Sequence, residues 1–88
     1  MKDEVIEAII EAINHSLRQC TGKKFYVYYG QIIAHVTYLF PRQLNIESKT
    51  FHFMTKLVTL GIANSTRHDN HTWEVNTQSF KELVQNEY

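Results

Sequence analysis

The sequence predicts an α+β domain, a three-helix core with a small antiparallel sheet, in the order helix, strand, helix, helix, strand, strand, helix. Three observations predict it. Apolar residues recur at helical spacing in several separate segments. Short aromatic and β-branched runs read as strands. Finally, Gly22, Gly30, Pro41 and Gly61 cut the chain into pieces of helix or strand length. With 88 residues, the chain (1–88) is expected to be one domain with one modest core.

The first helix is predicted over Asp3 to Cys20. Asp3 suits the N-cap, Glu4 and Glu7 suit the positive helix end, and Gly22 is expected to supply a left-handed stop. Val5, Ile6, Ile9, Ile10, Ala12, Ile13, Leu17 and Cys20 fall on one arc, with Glu7, Glu11, Asn14 and Arg18 opposite. Phe25 to Tyr29 reads as a strand with Tyr26 and Tyr28 turned away from Phe25 and Val27. Gly30 opens a second helix, Gln31 to Phe40, which Pro41 ends. Its apolar face is Ile32, Ile33, Val36, Leu39 and Phe40, with Gln31, His35 and Tyr38 opposite.

The third helix is predicted over Ser48 to Leu60, closed by Gly61. Thr50, Phe51, Phe53, Met54, Leu57, Val58 and Leu60 form its apolar half. Ser48, Lys49, His52, Thr55, Lys56 and Thr59 form the polar half. Ile62 to Arg67 and Thr72 to Asn76 make a hairpin around the polar tip His68-Asp69-Asn70-His71. Trp73 and Val75 alternate with Glu74, so one hairpin face is expected to be buried. A last helix, Gln78 to Asn86, is capped by Asn76 or Thr77 and carries Phe80, Leu83 and Val84 inward.

A hydrophobic fraction of 43% with 20% charged residues excludes a disordered tail or a fibrous rod. No apolar run approaches the roughly 18–20 residues of a membrane span. The acidic start and interrupted apolar stretch argue against a signal peptide. The single cysteine, Cys20, cannot pair within the chain, so an intracellular, reducing, cytoplasmic location is expected. Net charge is zero, but it is segregated. Residues 1–11 set Lys2 against Asp3, Glu4, Glu7 and Glu11, a balance of −3. Residues 12–73 carry Arg18, Lys23, Lys24, Arg42, Lys49, Lys56 and Arg67 against Glu47 and Asp69, a balance of +5, and all five histidines. Residues 74–88 return to −2.

The element order, with the segment Leu39-Phe40-Pro41-Arg42-Gln43-Leu44-Asn45-Ile46-Glu47-Ser48-Lys49-Thr50 and the closing Lys56-Leu57-Val58-Thr59-Leu60-Gly61-Ile62, resembles the winged helix-turn-helix DNA-binding domain family. The resemblance covers nearly the whole chain. It implies that the third helix reads the major groove and that the hairpin is a wing on the flanking backbone. Ser48, Lys49, His52, Thr55 and Lys56 then face DNA from the helix, and Arg67, His68 and His71 from the wing. Any amphipathic surface helix shows such a polar face, so the resemblance carries this reading.

The expected partner is double-stranded DNA, bound by a homodimer, because one module with few cations makes few phosphate contacts. The acidic outer faces of the first and last helices are expected to point away from DNA and to serve in dimerisation. The exposed tyrosine pair would also favour self-association. The alternative is an adaptor that binds protein and not DNA, which fits the neutral total charge.

Chemistry is not expected. There is no phosphate-binding glycine loop, paired catalytic carboxylates or Ser/His/Asp spacing, so no enzyme, small-molecule substrate or cofactor is predicted. His68 and His71 with Asp69 supply too few ligands for zinc, so no metal is predicted. Cys20 reads as a buried structural thiol.

Overall fold

The computed structural model describes residues 3–66 and 71–87. The described residues form four helices and a three-stranded antiparallel sheet, in the order α1 (Glu4–Arg18), β1 (Lys24–Tyr28), α2 (Tyr29–Leu39), α3 (Ile46–Thr59), β2 (Ala63–Ser65), β3 (Thr72–Asn76) and α4 (Thr77–Glu87). β3 is the central strand, between β1 and β2. Phe25 is opposite Val75 and Val27 opposite Trp73, and Ala63 joins the same face from β2. That face is buried against the helices, as is Phe80 of α4, which meets the Phe25 ring edge-on at 6.1 Å. The inner stripes of α1 (Val5, Ala8, Ile9, Ile10 and Ile13), α2 (Ile32 and Val36) and α3 (Ile46, Phe53, Met54 and Leu57) complete the core.

α1 begins where Asp3 places it. Asp3 Oδ1 accepts hydrogen bonds from the Val5 and Ile6 amides at 2.9 and 3.3 Å. The helix stops at Arg18, before the expected Cys20. Gln19 and Cys20 instead close tighter turns by donating to the Ser16 and Leu17 carbonyls. Gly61 is the only described glycine with positive φ, so Gly22 is not the left-handed stop expected of it. The Cys20 thiol is half-buried and donates to the Lys24 carbonyl oxygen at 3.2 Å.

β1 passes into α2 without a linker. Gly30, expected to precede the helix, lies inside its first turn, and Tyr29 is helical rather than extended. The Tyr29 amide donates to the His71 carbonyl at 2.8 Å, tying this junction to β3. α2 ends at Leu39, and Phe40, directly before Pro41, leaves helical geometry.

α3 starts at Ile46, two residues before the expected Ser48. The residue ahead of it, Asn45, takes the left-handed conformation at φ 65°, and its carbonyl accepts from the Lys49 amide. Asparagine tolerates that conformation because its short polar side chain is little hindered there. The far end closes as the glycine predicts. Gly61 stands at φ 76°, its amide donates to the Val58 carbonyl, and the Ile62 amide donates to that of Leu57. β2 is shorter than expected, Ala63–Ser65 rather than residues 62–67. α4 follows β3 directly, with the Asn76 side chain accepting from the Ser79 amide at 2.9 Å.

Three residues expected in the core are exposed: Leu39, Val58 and Leu60. Val58 and Leu60 sit on opposite margins of the α3 apolar arc. Leu39 lies in the last turn of α2, whose buried residues, Ile32 and Val36, are both further back. Thr50 goes the other way. It is wholly buried, and its hydroxyl has no hydrogen-bond partner.

Candidate nucleic-acid interface

The buried stripe of α3 turns its remaining side outward. Ser48, His52, Thr55 and Lys56 are exposed along it, and Lys49 is half-buried. Ser48 and Lys49 lie in the first turns of α3, because the helix begins at Ile46. Lys49 and Lys56 are two turns apart and share a side.

Neither lysine projects alone. Lys49 Nζ donates to Asp3 Oδ2 at 3.0 Å, an ion pair across 46 residues of sequence. Lys56 Nζ lies 3.6 Å from Glu87 Oε2, in the last turn of α4. The Asp3 carboxylate is therefore shared between two helices, Oδ1 capping α1 and Oδ2 holding α3. The Lys49 hydrogen bond keeps its carboxyl below the usual range against the opposing effect of burial, with lesser help from the Ile6 and Val5 amides. The expectation that the acidic residues of α1 and α4 point away from this face fails at these two positions. Sequence reading missed both, since only packing of the chain ends against α3 creates them.

The hairpin approaches the same helix from the side. The His71 ring meets Tyr29 edge-on at 5.2 Å and Phe51 at 6.2 Å. Tyr29 and Phe51 stack at 4.7 Å, and Phe51 meets the buried Trp73 ring at 6.1 Å. Burial, with the nearby Glu47 carboxylate, pushes the Tyr29 hydroxyl pKa up, so it stays a neutral hydrogen-bonding group. His71 is thus placed beside α3 by an aromatic cluster. Arg67 and His68, the other expected wing residues, lie outside the described residues, as do Asp69 and Asn70.

Other surfaces differ in character. The outer sheet face exposes Tyr26 and Tyr28, which with Thr66 and Thr72 line a depression of about 340 Å³. There Lys24 pairs with Glu74 at 3.1 Å. Between α1 and α2 runs a groove of about 540 Å³ lined by polar residues that include Glu11, His15, Arg18 and His35. His35 and Glu11 approach to 3.4 Å across it. Among the described residues, no cluster of three or more His, Cys, Asp or Glu is placed to hold a metal ion. No described helix is long and apolar enough to cross a membrane.

Compared with family models, curated proteins and solved structures, the chain finds no significant match.

Proposed function

We propose that this chain is a winged-helix module that binds double-stranded DNA as a homodimer and acts as a transcription regulator. One observation carries the reading: an outer side of α3 that exposes Ser48, His52, Thr55 and Lys56 and carries Lys49 on the same helix. The element order and the β1-β3-β2 sheet support the winged-helix arrangement around it. In this reading Lys49 and Lys56 seat phosphates, and Ser48, His52 and Thr55 meet base edges in the major groove. His71, held beside α3 by Tyr29 and Phe51, reaches the flanking backbone with Arg67 and His68 of the wing. A dimer doubles the phosphate contacts that one module lacks.

The test is fluorescence anisotropy of labelled duplex DNA at about 50 mM salt, where phosphate contacts are strong. Wild type binds. Lys49→Ala and Lys56→Ala weaken binding, and each lowers the log–log salt slope by about one. Binding by both variants equal to wild type, or none by wild type, sinks the DNA reading. Sedimentation with and without duplex tests the dimer, and a monomer under both conditions removes it.

A second reading, a protein-binding adaptor, is favoured by a different observation. Tyr38, Leu39 and Leu44 expose apolar surface around the α2–α3 turn, while both α3 lysines already hold carboxylates. It takes over if wild type ignores duplex DNA.

A further inference from the structure

We infer that Asp3 and Glu87 are affinity-determining residues of the α3 face, occupying the positions at Lys49 and Lys56 that DNA phosphates must take. The inference rests on the DNA reading and adds two residues that it does not include.

A carboxylate and a phosphate offer a lysine the same thing, an anionic oxygen that accepts a charge-assisted hydrogen bond. Lys49 already has such an oxygen, hydrogen-bonded at 3.0 Å, and Lys56 has a carboxylate oxygen at ion-pair distance, 3.6 Å. The two anions come from opposite ends of the chain, Asp3 ahead of α1 and Glu87 at the end of α4. Neither pairing is explained by the needs of its own helix. Asp3 caps α1 through Oδ1 alone, so the Oδ2 bond to Lys49 is additional. Glu87 sits where the helix macrodipole disfavours a negative charge, and α4 has no basic residue in its last turn. Its close partner of opposite charge is Lys56, on another helix.

A duplex approaching this face has to displace both carboxylates. Once displaced, they remain tethered beside the phosphates and repel them. Two consequences follow from competition at one ammonium. Affinity is lower than the cations of α3 would otherwise supply. The salt dependence is shallower as well, because salt screens the competing carboxylate along with the phosphate.

The experiment measures anisotropy of labelled duplex DNA against salt for wild type, Asp3→Asn, Glu87→Gln, the double variant and Glu11→Gln. Asp3→Asn removes the charge and keeps the cap, since asparagine caps as well as aspartate. Asp3→Asn and Glu87→Gln should each bind about 3- to 10-fold tighter at about 50 mM salt, with steeper salt slopes that converge on wild type near 0.5 M. Glu11, whose neighbour is His35 in the α1–α2 groove, is the control, and its variant should stay within about twofold of wild type. The gain from Asp3→Asn should disappear in a Lys49→Ala background, because the competition acts through that lysine. Variants that bind no tighter than a binding wild type overturn the inference and leave the DNA reading standing. A gain from Glu11→Gln equal to the others, or one that persists without Lys49, also overturns it, since it then reports net charge alone. If wild type does not bind at about 50 mM salt, the DNA reading itself fails, and the inference with it.

Discussion

Phe25, Val27, Trp73 and Val75 lose nearly all their surface to the helices, whereas Tyr38, Leu39 and Leu44 around the α2–α3 turn keep 83%, 44% and 76% of theirs. The sheet side has helices to cover it. The turn is shaped by backbone conformation and local hydrogen bonds: Pro41, the Gln43 amide donating to the Phe40 carbonyl at 3.1 Å, Gln43 Nε2 donating to the Leu44 carbonyl at 2.9 Å, and Asn45 at φ 65°. Burial therefore holds one region and conformation the other. A region held by conformation can present its side chains outward without loss of the fold, and α3 leaves that turn with its polar side exposed.

The largest test of this contrast is Trp73→Ala. Trp73 is buried and packs edge-on against Phe51, so the truncation should cost about 3–5 kcal/mol in urea or thermal unfolding. A loss below about 1 kcal/mol would show that the sheet-side core does not depend on it.

Asn45→Val comes next. A β-branched residue at positive φ should cost about 1–2 kcal/mol, while Asn45→Gly should be tolerated. Equal stability of the two variants would mean that the turn is not set by its backbone conformation.

Thr50→Val should act in the opposite direction. Its buried hydroxyl has no partner, so an apolar group of similar shape should raise stability by about 1 kcal/mol. Melting temperature is the readout, and a drop would indicate that the hydroxyl is satisfied.

The pH effect of Asp3 is smaller because the pair is partly exposed. Its carboxyl is lowered in the folded state, so its stabilisation is present above the unfolded value and lost as pH falls through the folded one. Acidification below about pH 4 should therefore cost wild type more than Asp3→Asn. Parallel acid-unfolding curves would remove the Lys49 pairing from the stability of the chain ends.

Leu44→Ser should have the least effect, within about 0.5 kcal/mol, because Leu44 is already exposed. A loss comparable to that of Trp73→Ala would erase the distinction between the two regions.

Much of this was legible along the chain. The α1 stripe, the inward Phe25 and Val27, the outward Tyr26 and Tyr28, the α3 stripe and the Gly61 stop all follow from local periodicity or backbone preference, which neighbouring residues decide among themselves. Boundaries were less legible. α2 absorbs Tyr29 and Gly30 because the Tyr29 amide finds its acceptor on His71, far away in sequence. α3 begins at Ile46 because that side chain is buried.

What the sequence determined alone is the kind and order of elements and the inward side of each, since the spacing of apolar residues requires only the element itself. Tertiary structure decided which part of an apolar side is covered. Ile32 and Val36 lie against the core, and Leu39 runs past it. It also decided what meets the polar side of α3. A periodic pattern marks Lys49 and Lys56 as outward, but Asp3 and Glu87 reach them only because the start of α1 and the end of α4 lie beside α3, and no local signal encodes a contact between residues so distant in the chain.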